Sequence, residues 1–348
     1  MVSTGGRQLV GRILTATRES SINSSSSGNK FHQQEARLIE GDNKEKIYSV
    51  SFLVDGKHFV SGGNEGTIRR WRIEDGKEVG TPMHAKSPTL DIAVSQDGKW
   101  IVSGTMFGLV TVWSAESYSK VTEWKAHSGQ LCAVDVSPDA TKVATGSTGK
   151  TACVWSLSTS ERLLGPLTND NGVVAVKFSP DGCFIAIATW ATSVRICDSQ
   201  SGRLLVEFPI KVSSLRNQSL AWASDNKQLF VLSRDCSIHC LDVSTGTTLS
   251  KRPINNSKDA QCIALASNGT FIAASTLSSV SFWDTTTHKK IDYVIYHAVA
   301  ISSMAISSNY DLAIAGGNLI TVRNLCGLLP SPYCDDVSAL ASNVHCAE

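Results

Sequence analysis

Residues 60–71 read Val60-Ser61-Gly62-Gly63-Asn64-Glu65-Gly66-Thr67-Ile68-Arg69-Arg70-Trp71. Two strand-like runs flank a turn rich in Gly, Asn and Glu, and the second run ends on a tryptophan. That end point recurs down the chain at Trp71, Trp113, Trp155, Cys197, Leu241, Trp283 and Arg323, at spacings of 42, 42, 42, 44, 42 and 40 residues. Three residues before each stand Ile68, Val110, Ala152, Val194, Ile238, Val280 and Ile320, all apolar. One residue before stand Arg70, Val112, Val154, Ile196, Cys240, Phe282 and Val322. This is the period-two pattern of a strand, repeated in register.

Working outward, Phe59, Ile101, Val143, Ile185, Leu229 and Phe271 lie twelve residues before successive landmarks and mark a preceding strand. Turn signals fall between, among them Asp55-Gly56, Asp97-Gly98, Pro138-Asp139 and Pro180-Asp181-Gly182. Each unit reads as four strands. The first is expected at Ile47–Phe52, His58–Ser61, Thr67–Arg72 and Glu78–Gly80. One such sheet cannot bury both faces, but seven set radially bury each against the next. The fold class is therefore all-β, a seven-bladed β-propeller of four-stranded antiparallel blades. The last unit has no fourth strand of its own, and Ala36-Arg37-Leu38-Ile39-Glu40 is strand-like. That N-terminal strand is expected to close the ring, leaving only short protected edges. The expected division is a disordered polar tail over 1–35, rich in serine, a propeller over 36–325 and a C-terminal tail over 326–348, with one helical turn near Val337–Ala341.

The run 60–71, the stretch Phe178-Ser179-Pro180-Asp181-Gly182 and the pair Trp283-Asp284 resemble the WD40 repeat family. Asp198 and Asp242 hold the Asp place after their landmarks. The likeness covers about residues 36–325 and extends to fungal WD-repeat arrays. Many such blades carry a buried set of His, Ser or Thr, Asp and Trp. Here the acid, six residues before the landmark, survives only as Glu65 and Asp235. Phe107, Gly149, Ala191, Leu277 and Gly317 replace it elsewhere. His127, Thr145 and Trp155 are expected to make three members of the set in one blade, and Ser61, Glu65 and Trp71 in another.

The resemblance also implies binding through the narrow face, built from first-strand entrances and second-to-third-strand turns. The family's positions fall here on Tyr48, Leu90, Met106, Trp190, Arg216 and Arg234, among others. Interface hot spots favour Trp, Tyr and Arg. Trp190 is the most informative, an indole in the turn Ala188-Thr189-Trp190-Ala191-Thr192-Ser193.

Composition narrows the function. The 348 residues carry 32 basic and 31 acidic side chains, a net charge of +1, with 42% apolar residues. The balance argues against a nucleic-acid binder, and no apolar run is long enough for a membrane helix. None of the ten cysteines forms a C-x-x-C pair, and most sit in apolar runs, including Gly182-Cys183-Phe184. Cys236 and Cys240 would stand about 13 Å apart along a strand, too far for a disulfide. A reduced intracellular protein is expected, cytoplasmic or nuclear, with no metal and exposed thiols at Cys334 and Cys346. Arg7, Arg12 and Arg18, with no acid before Glu19, weakly resemble a mitochondrial import signal. No nucleophile, zinc or phosphate-loop motif is present. Arg69-Arg70 is similar to the paired arginines of phosphoinositide-binding propellers, but lies mid-strand before Trp71, where a solvated strand face is expected. The function these observations favour is a non-enzymatic scaffold for a protein or peptide partner, without a cofactor, as a monomer or part of a larger complex. The alternative is a propeller enzyme, or a cofactor- or lipid-binding propeller, with acids or histidines converging on the axis.

Overall fold

The computed structural model describes residues 37–39, 45–212, 218–254, 260–331 and 333–334. The proposed tail over 1–35, the helical turn near 337–341, Arg216 and Cys346 lie outside them. The described residues form seven four-stranded antiparallel sheets and no helix.

The first strand, β1 (Arg37–Ile39), is set apart from its sequence neighbours. Blade 1 is β2 (Ile47–Phe52), β3 (His58–Gly63), β4 (Thr67–Arg72) and β5 (Met83–His84). Blade 2 is β6 (Thr89–Val94), β7 (Trp100–Thr105), β8 (Leu109–Ser114) and β9 (Lys120–Lys125). Blade 3 is β10 (Leu131–Val136), β11 (Lys142–Ser147), β12 (Thr151–Ser156) and β13 (Arg162–Thr168). Blade 4 is β14 (Val173–Phe178), β15 (Phe184–Thr189), β16 (Val194–Asp198) and β17 (Leu204–Phe208). Blade 5 is β18 (Leu220–Trp222), β19 (Gln228–Leu232), β20 (Ser237–Asp242) and β21 (Thr247–Pro253). Blade 6 is β22 (Ile263–Leu265), β23 (Phe271–Ser275), β24 (Ser279–Asp284) and β25 (Lys290–Tyr296). Blade 7 is β26 (Ile301–Ile306), β27 (Asp311–Gly316) and β28 (Leu319–Asn324), completed by β1. β1 pairs antiparallel with β28, Leu38 facing Thr321, so the ring closes with the N-terminal strand as expected.

One expected strand moves. Glu78 meets Trp71 only as an isolated bridge, and the fourth strand of blade 1 is instead Met83–His84, paired with Ile68 and Thr67. Gly80 at φ +77° and Pro82, which has no N–H to give a ladder, interrupt the run between.

The landmark repeat has a packing cause. The core is seven apolar clusters, one between each pair of neighbouring blades. Trp113 of blade 2 packs with Val60 and Ile68 of blade 1, and Trp155 of blade 3 with Val110 and Val112 of blade 2. Trp71 packs with Ile320 and Val322 across the seam. Burying each such side chain contributes about 1.5–3 kcal/mol. Blade 7 has Arg323 at its landmark, which cannot fill that space. Leu325, Leu329 and Tyr333 occupy the cluster between blades 6 and 7. The Tyr333 ring meets Phe271 edge-on, and its hydroxyl donates to Asp284 Oδ2 at 2.9 Å. The segment expected to be a tail from 326 is thus packed as far as Tyr333, and Cys334 is half-buried against the same cluster rather than exposed. Cys183, although its sequence neighbourhood is apolar, is exposed.

Inner strands are also stitched across blades. Each presents an edge of unpaired N–H groups toward the axis, and buried donors need partners. Ser303 Oγ accepts the N–H of Val50, Ser49 Oγ that of Ile92, Asp91 that of Val134 and Asp135 that of Phe178, at 3.0, 3.1, 2.9 and 2.8 Å. These bonds join blades 7 to 1, 1 to 2, 2 to 3 and 3 to 4.

Candidate functional site

Strand register gathers the first-strand entrances and the second-to-third-strand turns on one face. Ile47 lies opposite Gly63, Thr89 opposite Thr105, Val173 opposite Thr189 and Ile301 opposite Gly316. Tyr48, Leu90, Met106, Trp190 and Arg234 all belong to this face. Tyr48 and Leu90 are each the extra residue of a β-bulge, where register slips between Ile47 and Ser49 and between Thr89 and Asp91. A bulge re-aims its side chain, and both are half-buried, as is Met106. The Tyr48 hydroxyl donates to Asn64 Oδ1 at 3.4 Å.

Trp190 and Arg234 are exposed and brought together. The Trp190 N–H donates to Gly172 O at 2.8 Å, and Ala191 N–H to Val212 O at 3.1 Å. From the other side, Arg234 N–H donates to Lys211 O at 2.7 Å, and Val212 bridges Ser233. A strap over 210–212, with Val212 fully buried, therefore ties the two turns.

Sequence reasoning missed other exposed apolar groups on this face. Phe107 is 60% exposed, Tyr296 74%, Leu277 42% and Val299 37%, beside Trp190 at 45%. Ile301 N–H donates to Leu277 O and His297 N–H to Ser278 O, while Tyr296 pairs with Ser279, so Leu277 and Tyr296 lie on adjoining backbone at the boundary of blades 6 and 7. A signal was present. Phe107 and Leu277 hold the acid place of the buried set, where an apolar residue has nothing to pack against in a polar turn.

The buried sets themselves are structural. In blade 3, Trp155 Nε1–H donates to Thr145 Oγ1 at 2.9 Å, and His127 meets Thr145 at 2.8 Å and Thr151 at 2.9 Å. Burial, helped by the Arg162 charge, lowers the His127 pKa to about 4, so the ring is neutral at pH 7. In blade 1 Trp71 donates to Ser61 at 2.8 Å, and Glu65 accepts from Arg69 at 3.2 Å. Arg69 also meets Glu78 at 3.0 Å, and Arg70 lies 4.1 Å from the Tyr118 ring centroid, so this pair is half-buried rather than a solvated face. In blade 5 Asp235 is held by Lys251 and Ser233, and these partners, outweighing burial, lower its pKa to about 2.

The axial cavity, about 380 Å³, is lined by Asp91, Asp135, Lys177, Gln218, Trp222 and Met304 among others. Its acids are committed to the fold. Asp91 accepts from Ser49 and Val134, and Asp135 from Phe178 and from Lys177 Nζ at 2.7 Å. Burial disfavours the Lys177 charge, yet Asp135, and more weakly Asp91, raise its pKa above the usual lysine value. Among the described residues, no three His, Cys, Asp or Glu come together as a metal would need.

Comparison with known families gives two matches. Residues 33–72 and 118–156 match the family model described as WD domain, G-beta repeat. Residues 149–216 match the Anaphase-promoting complex subunit 4 WD40 domain. Neither description carries the fungal likeness. No curated protein matches the chain.

Proposed function

Because the chain is a WD40-repeat β-propeller, we propose that it is a non-catalytic scaffold docking protein or peptide partners on the face bearing Trp190 and Arg234. WD40 propellers generally serve as such scaffolds. One observation carries the reading for this chain. Large apolar side chains, Phe107, Trp190, Leu277 and Tyr296, are exposed in or beside the turns of a single face. Exposed apolar groups gathered on one face of a soluble fold mark an interaction surface, and aromatic residues are the usual anchors. The axial acids give no comparable support to an enzyme, since their oxygens already serve backbone N–H groups and Lys177. An intracellular home belongs to the same reading. Among the described residues six cysteines are buried thiols, and burial pushes Cys240 up to about 12, which makes it inert.

The test is a purified-partner pull-down with Trp190→Ala plus Arg234→Ala. The double variant is expected to keep the wild-type unfolding transition and to lose binding. Retained binding to every partner refutes the docking face.

A further inference from the structure

The docking face is not chemically uniform: exposed cations recur along its blade 3–5 sector, whereas Lys125, beside Phe107 in blade 2, donates to that residue's carbonyl. The second-to-third-strand turns there are contiguous. Gly172 packs on Thr148, a Cβ built on it coming within 3.2 Å of Thr148 Cα, and its carbonyl accepts the Trp190 N–H. The 210–212 strap then joins Trp190 to Arg234. Lys150, Lys211 and Arg234 are all exposed along this run.

The acids of the sector are already engaged. Asp235 is 2.5 Å from Lys251, and Asp170 is 3.4 Å from Arg195, which also holds Glu207 at 2.9 Å. Among the described residues, Lys150, Lys211 and Arg234 take part in no ion pair. Three unneutralised cations thus flank an exposed indole. Beside Leu277, Tyr296 and Val299 in the blade 6–7 sector stands His297, a buried ring whose pKa burial lowers.

From this juxtaposition we infer that the blade 3–5 sector is a subsite for an acidic peptide segment carrying one aromatic or large aliphatic residue. The indole supplies the apolar platform, and the three cations supply charge complementarity that steers and orients the segment. A nucleic acid fits less well, because three cations do not make a continuous phosphate track on a chain of net charge +1. The inference rests on the docking reading above and narrows it.

Fluorescence polarisation tests it with a short labelled peptide rich in glutamate and bearing one central phenylalanine. Controls are the same peptide with lysine for glutamate and a short single-stranded oligonucleotide. The acidic peptide is expected to bind, to weaken as salt rises from about 50 mM to about 300 mM, and to lose about tenfold or more with Lys211→Glu plus Arg234→Glu. Those side chains are exposed and their backbone bonds survive substitution, so thermal unfolding of the variant should match wild type. Trp190→Ala should also weaken binding, whereas Phe107→Ser should not. Equal binding of the lysine peptide, tighter binding of the oligonucleotide, or unchanged affinity in the charge-reversed variant overturns the inference. If acidic peptides fail while the partner pull-down still depends on Trp190 and Arg234, the acidic preference falls alone. If both fail, the docking reading falls with it.

Discussion

The inner strands of blades 1, 2, 3, 4 and 7 are six residues long, whereas β18 and β22 of blades 5 and 6 have three. Opposite three of the longer strands, β6, β10 and β14, the neighbouring blade's second strand is thinned to Gly62, Gly104 and Gly146, whereas Leu232 of blade 5 stands at that place nine residues before its landmark. A Cβ on Gly104 would come within 2.2 Å of Leu131 and 2.8 Å of Val134 in blade 3. Those neighbours are also stitched by side chains that accept the next blade's N–H. On the short-strand side the corresponding reach is longer. Gln218, leading into blade 5, accepts the Ile263 N–H of blade 6 on its carbonyl at 2.7 Å, while its side chain accepts the Met304 N–H at 2.8 Å and donates to Ser303 at 2.6 Å in blade 7. One ring thus holds an arc of close glycine contacts and another in which apolar clusters and longer side-chain reaches, Gln218 and Trp222 among them, join the blades.

The sharpest break of this contrast is Gly104→Val. It forces side chain into the blade 2–3 contact and should cost about 3 kcal/mol, as overpacking does. Denaturant unfolding within experimental error of wild type would show that the close arc can yield. Next comes the pair Asp91→Ala and Gln218→Ala. The first strands the buried Val134 N–H and Ser49 hydroxyl and should cost about 2–3 kcal/mol. The second strands the Met304 N–H beside a cavity that water can enter, and should cost about 1 kcal/mol. Equal losses would dissolve the distinction between the arcs.

A pH dependence within the close arc is expected as well. His127 titrates near 4 when folded and at 6.5 as a free side chain. The unfolded chain therefore binds the proton more readily, and stability is full above 6.5 and declines as pH falls toward 4. From about pH 7.5 to about pH 5 the loss should be about 2 kcal/mol. His127→Gln should remove that share of the slope while leaving the share of His239 and His297, whose pKa values burial also lowers. An unchanged slope in urea titrations at the two pH values would contradict the assignment.

Much of this was legible because each blade repeats a strand period tied to one bulky landmark, so register, blade number and the closing strand could be read from residues 36–325. The blade 1 outer strand was not, because counting from Trp71 ignores the interruption at Gly80 and Pro82. The C-terminal packing escaped for a related reason. Arg323 signals a missing side chain, but only the three-dimensional gap shows that Leu325, Leu329 and Tyr333 fill it. On the proposed docking face, residue type singled out Trp190 and Arg234, whose turns the 210–212 strap ties together. The tucking of Tyr48 and Leu90 by bulges, and the exposure of Phe107 and Tyr296, depend on how turns aim their side chains, which no single position announces.

The seam between β1 and β28 has a consequence for biosynthesis. Its two halves leave the ribosome nearly the whole chain apart, so blade 1 emerges with its Trp71 cluster lacking Ile320 and Val322. The circle cannot lock until residues 319–333 are released, and the nascent protein must hold an open, sticky arc until that moment. A three-residue N-terminal strand suits the wait, being too short to recruit a stray partner firmly.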